Sequence, residues 1–259
     1  MNTAIIIPCD RNYLEGLKVL LFSIWFHTKH SINIEDLARS VDIVIISEDL
    51  TYDDFNTPEL AIFICRPAVS KYADIPKTGR FPNVVYYTWE ALNLGYDRLI
   101  FIGADQLIVS DISLLLRADL PPLCMVKENT KGEWTGNYCT GMLTIEPAHF
   151  PGLWETWMDL ATQGESYDGG DQGVINKWVK MNKIDVTPLD QYWDVSRRRF
   201  DQAGWWNKHK HQFRSIHYVG EHKPWSLTRI DIDHMQPLDK LWWMYFYQAP
   251  MDIPDQVLG

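Results

Sequence analysis

No apolar run in this sequence approaches the roughly 20 residues that a helix needs to cross a bilayer, so no membrane span is expected. Cysteine is scarce. Cys9, Cys65, Cys124 and Cys139 lie far apart with no CxxC pair, which excludes a disulfide framework and a zinc ribbon. Positive charge is also short: 24 Lys and Arg stand against 34 Asp and Glu, for a formal net charge of −10. That balance argues against an extended nucleic-acid footprint, which presents a basic face. Two local exceptions, Arg197-Arg198-Arg199 and Lys208-His209-Lys210-His211, read as solvated surface or as lining for an anionic acceptor. Internal repeats, low-complexity tracts and linker-like stretches are absent too. The first apolar run stops at Pro8 and no basic stretch precedes it, so no signal peptide is expected. Together these absences predict a reduced, cytoplasmic setting.

What is present is an ordinary globular composition, 46% hydrophobic and 22% charged over 259 residues. That length buries one substantial core, and a single unit over 1–259 is the simplest division. Tryptophan is the outlier: twelve Trp and twelve Tyr exceed what a core alone requires. Flat aromatic faces suit sugar rings or nucleobases, although for any single Trp simple packing is the better reading.

Short apolar runs at residues 3–7, 41–47, 61–65 and 98–102 read as buried strands. Helical spacing over 14–28 and 83–94 separates them, the second helix closing near Gly95. Strands alternating with helices predict an α/β, Rossmann-like, mostly parallel sheet with flanking helices. Ligands of such sheets lie beyond the carboxyl ends of the strands, and the loops at 9–13 and 103–106 both leave those ends. The second half is less regular. A strand over 141–145, helices over 149–162 and 169–180, and a Trp-rich helix over 238–248 are expected. Residues 190–214 are aromatic and basic without clear period, and read as a surface segment or lid.

Asp105 at the end of a buried strand and His217 in a later loop are residue types that hold a divalent cation. Alone each is weak, since an Asp after a strand is commonly a turn residue and a lone His a satisfied structural one. The segment from His217 to Trp225 carries more. Gly220 allows close approach of backbone to phosphate, Lys223 supplies charge, and Pro224-Trp225 stiffens the exit; an ordinary turn before a strand fits about equally well. Asp168-Gly169-Gly170-Asp171-Gln172 surrounds a turn that opens a helix. Asp171 there either faces a reacting carbon or caps the helix, and the two roles are compatible. Tyr13 could stack on a base, or pack against the following helix.

These segments occur in one order along the chain, and together they resemble the glycogenin-like family of retaining glycosyltransferases, family 8. Cys9-Asp10-Arg11-Asn12-Tyr13-Leu14-Glu15-Gly16 is similar to the family's first nucleotide-binding loop. Leu99 to Val109 resembles its strand and DxD motif, and Tyr138-Cys139-Thr140-Gly141 takes the place of an Asn-Ser/Ala-Gly sugar-binding segment. Asp168 to Gly173, His217-x-x-Gly220-x-x-Lys223-Pro224-Trp225 and Leu241-Trp242-Trp243 match closely. The resemblance covers nearly the whole chain and implies a GT-A fold, with a nucleotide-binding half over about 1–115 and a sugar and acceptor half over about 116–259.

By that resemblance Asp10 and Tyr13 would contact the nucleotide of a UDP-sugar, Tyr13 by stacking on the base. Asp105 and His217 would bind Mn²⁺, Gly220 and Lys223 would hold the donor's diphosphate, and Asp105 would thereby also count among the donor-binding residues. Asp171, Gln172 and Asp168 would line the sugar and acceptor as catalytic residues. Three departures stand out. Gly103 replaces the first Asp of DxD, which implies weaker metal binding. Cys139 replaces a sugar-contacting Asn. The basic residue before the DxD strand has no clean counterpart, Arg80 being a poorly spaced substitute.

The implied reaction moves a hexose, glucose or galactose, from a UDP-sugar to a separate acceptor that is a glycan, a protein or a small molecule. A glycogenin-type acceptor tyrosine is not expected, because residues 197–206 contain no Tyr and Tyr192 falls outside the spacing. The alternative reading is a catalytically silent relative that binds sugar nucleotide or glycan. A transferase for modified nucleic acid is a minority reading carried only by the two basic clusters. The helix bearing Trp242 and Trp243 could serve the core or a homodimer contact.

Overall fold

The structure, a computed structural model, describes residues 1–28, 41–55, 62–76, 83–130, 133–201, 204–226 and 236–248. Four short apolar runs form its parallel half: β1 (Thr3–Pro8), β2 (Val41–Ile46), β3 (Ile62–Cys65) and β4 (Arg98–Ile102). They lie side by side in the order β3-β2-β1-β4. Such strands are apolar at nearly every position because both faces are covered. Alternate residues of β1 make this concrete. Ala4 and Ile6 join a core with Trp89, Trp157 and Trp178, whereas Ile5 and Ile7 join another with Leu17, Leu20 and Ile43.

Helix α1 (Leu14–Thr28) follows β1 directly and supplies Leu17 and Leu20 to that second core. The sheet then extends through antiparallel strands. After β5 (Gln106–Ile108), strands β6 (Leu123–Thr130) and β7 (Glu133–Ile145) form a hairpin whose second strand pairs with β4. β8 (Thr187–Leu189) adds a parallel edge to β6. The complete order is β3-β2-β1-β4-β7-β6-β8, mostly parallel as expected. A second sheet places β10 (Ser215–His217) between β5 and β9 (Val195–Ser196).

Three longer helices complete the packing: α2 (Leu153–Thr162), α3 (Asp171–Met181) and α4 (Pro237–Gln248). The expected helix over 83–94 is instead one α-turn, Val84–Tyr87, that tightens into a 3₁₀ stretch, Thr88–Asn93. Tyr86 and Trp89, three apart, stack edge to face with ring centroids 5.1 Å apart, a spacing that the tighter helix aligns. The helix expected from 149 begins at Leu153, because Gly152 adopts φ 71° and interrupts the chain. The strand expected at 141–145 starts at Glu133, its polar first half held by the hairpin rather than by burial.

The segment over 190–214 is exposed at Arg198 and over much of 204–212, while its two ends turn inward. Tyr192, Trp193, Asp194, Val195 and Phe213 are buried, and Trp205 and Phe213 stack 5.5 Å apart. Most tryptophans likewise pack. Trp242 is buried against Trp225 and Phe246, which gives that helix a core role. No helix among the described residues is long and apolar enough to cross a membrane, and all four cysteines are free. Arg80 lies outside the described residues.

Candidate active site

β4 delivers the chain to a turn at Gly103-Ala104-Asp105-Gln106, closed by the Gln106 N–H donating to the Gly103 carbonyl at 3.1 Å. The turn is fastened sideways, since the Gly103 N–H donates to the Gly141 carbonyl on β7, also at 3.1 Å. β5 then pairs antiparallel with β10, so that His217 stands opposite Gln106. The Tyr218 N–H donates to the Asp105 carbonyl at 2.9 Å. Backbone pairing alone therefore carries a residue from the last third of the chain to the end of a central strand.

The side chains there form one connected cluster. Asp105 Oδ1 lies 3.2 Å from His217 Nε2, and Asp105 Oδ2 accepts from Lys223 Nζ at 2.5 Å. Lys223 Nζ also donates to the Tyr218 carbonyl at 2.7 Å. His217 Nδ1 lies 2.8 Å from Asp194 Oδ1. Burial opposes ionisation of Asp105, but the His217 and Lys223 cations outweigh it and hold the carboxyl well below the usual range. For His217, burial disfavours the charged ring, yet Asp105 and Asp194 together push it up to about 10. Asp194 was missed from sequence. Its only signal is a carboxylate set between Trp193 and Val195, and an ion pair with His217 is what makes its burial tolerable.

The loop after β1 packs against this cluster. Asp10 accepts from the Asn12 N–H at 2.9 Å and so shapes its own turn. The Tyr13 ring lies 5.2 Å from Lys223 Nζ and meets Trp225 edge to face at 5.5 Å. Trp225 in turn donates to the Asn12 carbonyl at 3.1 Å. Gly16 makes room for this contact, since a Cβ there would stand 2.7 Å from the Trp225 ring and 2.9 Å from the Ala104 carbonyl. Gly220 turns the chain at φ +97°.

A second wall comes from β7 and α3. At Gly141 a Cβ would fall 2.8 Å from the His217 ring and 2.9 Å from Gln106 Nε2, so glycine is what lets these strands close up. Two residues away on the same strand, Cys139 lies beside Asp194, and burial and that carboxylate push its thiol far up. The Thr140 N–H donates to Gln172 Oε1 at 3.3 Å. Asn176, buried on α3, donates to the Tyr138 carbonyl at 2.8 Å and accepts its N–H at 2.7 Å. Those two bonds lock the helix onto the strand and set Gln172 in place.

The two acidic residues of this wall divide the work. Asp168 Oδ1 accepts from Ser166 Oγ at 2.9 Å and from the Gly170 and Gly173 N–H groups at 3.0 Å each. Asp168 is therefore the side chain that satisfies the start of α3, and Asp171 is not its N-cap. Gly170 holds that position. Asp171 is half-buried, and burial, then the nearby Asp168 charge, push its carboxyl up to about 7 against a hydrogen bond from Thr140. Gln172 Nε2 donates to Tyr167 at 2.8 Å and Glu128 at 3.3 Å.

Asp105 and His217 supply an oxygen and a nitrogen side by side. Among the described residues no set of three His, Cys, Asp or Glu side chains is placed to hold a metal. Once His217 gives up the Nε2 proton it shares with Asp105, such a pair fits an octahedral cation that takes its remaining ligands from phosphate and water.

A family model described as glycosyl transferase family 8 matches residues 4–228. The chain belongs to that family. Glycogenin of Cryptococcus neoformans var. grubii is 25% identical over 155 residues, 51% of this chain and 15% of that protein. UDP-glucuronate:xylan alpha-glucuronosyltransferase 2 of Arabidopsis thaliana is 28% identical over 139 residues, 52% of this chain and 22% of that protein. The chain thus spans under a quarter of either relative. Galactosyltransferase LgtC, solved with donor and acceptor sugar analogs, has TM-score 0.69 at 13% identity and covers 99% of both chains. The bifunctional glycosyltransferase WbbM has TM-score 0.68 at 17% identity, with 96% of this chain and 50% of that chain covered.

This family 8 member has the GT-A fold. Its Tyr192 is buried, with the hydroxyl 2.7 Å from His209 Nδ1.

Proposed function

We propose that the chain moves a hexose, glucose or galactose, from a UDP-sugar to a separate acceptor with retention of anomeric configuration. We read 1–259 as one catalytic unit, its nucleotide half over about 1–115 and its sugar and acceptor half over about 116–259. Tyr13 would stack on uracil, Asp10 would shape that loop, and Lys223 with Gly220 would take the diphosphate. Asp105 and His217 would hold Mn²⁺, which when bound withdraws charge from the leaving diphosphate. The bond from the anomeric carbon to the diphosphate breaks with its electron pair on UDP. The acceptor oxygen bonds to that carbon on the same face, and its proton leaves to the diphosphate.

Asp171 and Gln172 face the reacting sugar in this reading, with Asp168 holding their loop. Asp171 acts either as a nucleophile or as a charge that steadies a cationic sugar carbon, and both roles need its ionised form. The observation that carries the proposal is the Cys139-Thr140-Gly141 bridge. Gly141 lies against the His217 ring, and Thr140 bonds to both Asp171 and Gln172, so leaving-group and sugar-side groups share one strand end. Four free thiols suit the cytoplasm.

A catalytically silent relative is the second reading, favoured by Gly103 and Cys139. UDP release from UDP-glucose and UDP-galactose, with and without Mn²⁺ and candidate glycan, protein or small-molecule acceptors, separates the two. Acceptor-dependent release is expected. UDP uptake without turnover under every condition would leave only the silent relative.

A further inference from the structure

Three consecutive arginines follow β9, and they meet different fates. Arg197 pairs with the buried Asp239 at 3.2 Å. Arg199 donates to the Asn129 carbonyl at 3.3 Å and to Gln191 at 3.4 Å, and its guanidinium lies 5.3 Å from the Trp205 ring. Arg198 is exposed, and among the described residues no carboxylate lies within ion-pair distance of it. Its backbone N–H donates to Ser196 Oγ at 3.3 Å, and among the described residues its guanidinium has no hydrogen-bond or ion-pair partner.

That guanidinium points at the Gly220 turn. Arg198 Nη2 lies 3.4 Å from where a Cβ on Gly220 would stand, and Gly220 itself adopts φ +97°. Lys223, three residues on, is already engaged by Asp105 and the Tyr218 carbonyl. Gly103 meanwhile leaves the strand-end turn one carboxylate short, so less of the diphosphate's charge would be met by a divalent cation. A free guanidinium beside a turn that lets backbone approach phosphate is suited to fill this deficit. Its planar fork pairs two phosphate oxygens at once.

We propose that Arg198 is a further diphosphate-binding residue, meeting the nucleoside diphosphate at the Gly220 turn. The inference rests on the UDP-sugar reading and deepens it. Calorimetric titration of the full chain with UDP, inorganic pyrophosphate and uridine tests it, using wild type, Arg198→Ala, Arg198→Lys and the surface control Lys208→Ala. Arg198→Ala should weaken UDP and pyrophosphate by about tenfold or more, leave uridine within twofold, and show the wild-type melting temperature. Arg198→Lys should recover part of the loss, and Lys208→Ala should show none. UDP affinity unchanged in Arg198→Ala overturns the assignment, as does an equal loss of UDP and uridine. A wild type that takes up no UDP sinks the donor reading itself, an outcome distinct from either.

Discussion

Asp105 and Asp171 belong to the two walls of the proposed site, and the protein treats them in opposite ways. On the Asp105 wall, His217 and Lys223 crowd the carboxylate and keep it charged. Around Asp171 no cation stands close among the described residues, and burial, then the Asp168 charge, push the carboxyl up to about 7. One residue type is thus an obligatory anion in one place and a group poised near neutrality in the other. Position relative to charge, rather than chemical identity, assigns the roles.

The largest effect should come from the poised side. Asp171→Ala should lower turnover by about 10²–10⁴-fold, the span typical of one catalytic side chain, with UDP affinity unchanged within twofold by calorimetry. Wild-type turnover should rise with pH through about 7, because the ionised form is the working one. A flat profile, or equal loss of UDP binding, would break the contrast between the walls.

Stability should move in opposite directions for the two aspartates. Asp105→Asn leaves the Lys223 cation without its carboxylate and His217 with Asp194 alone, and should cost about 3–5 kcal/mol at neutral pH by denaturant titration. That loss should shrink in acid, because a carboxyl held below its unfolded value stabilises only above that value. Asp171→Asn should instead gain on the order of 1–3 kcal/mol at pH 8 and nothing at pH 3. The folded Asp171 carboxyl keeps its proton to about 7 and the unfolded one only to 3.8, so the wild type weakens as pH climbs between those values. Equal signs for the two variants would erase the distinction.

The smallest expected change sharpens the Asp105 side alone. A Cβ at Gly103 would stand 3.0 Å from Asp105 Oδ1, so Gly103→Asp would set a second carboxylate beside the first once Asp105 gives by a few tenths of an ångström. Mn²⁺ affinity in the presence of UDP should tighten on the order of tenfold. Unchanged affinity would contradict this account of the position.

Much of the fold was legible because its central strands are covered on both faces. Continuous apolar runs such as residues 3–7 and 98–102 announce themselves for that reason, and the helix of Asp171–Met181 follows from its Gly-Gly start. The long β7 was not legible at its polar end, since Glu133 to Tyr138 is held by hairpin partners rather than burial. The segment over 190–214 misled for a related reason. Its basic residues suggest solvent, while Tyr192, Trp193 and Phe213 turn inward without any helical or strand period.

The sequence by itself determined the alternating α/β order and the residue types, in chain order, that point to a sugar-nucleotide chemistry. Tertiary structure alone decided that Asp168 rather than Asp171 satisfies the start of its helix, that Asp194 holds His217, and that Arg198 is, among the described residues, the arginine of three without a carboxylate partner. Strand periodicity is a local property written into neighbouring residues. Charge state, burial and pairing depend on groups that the chain brings together only when it folds.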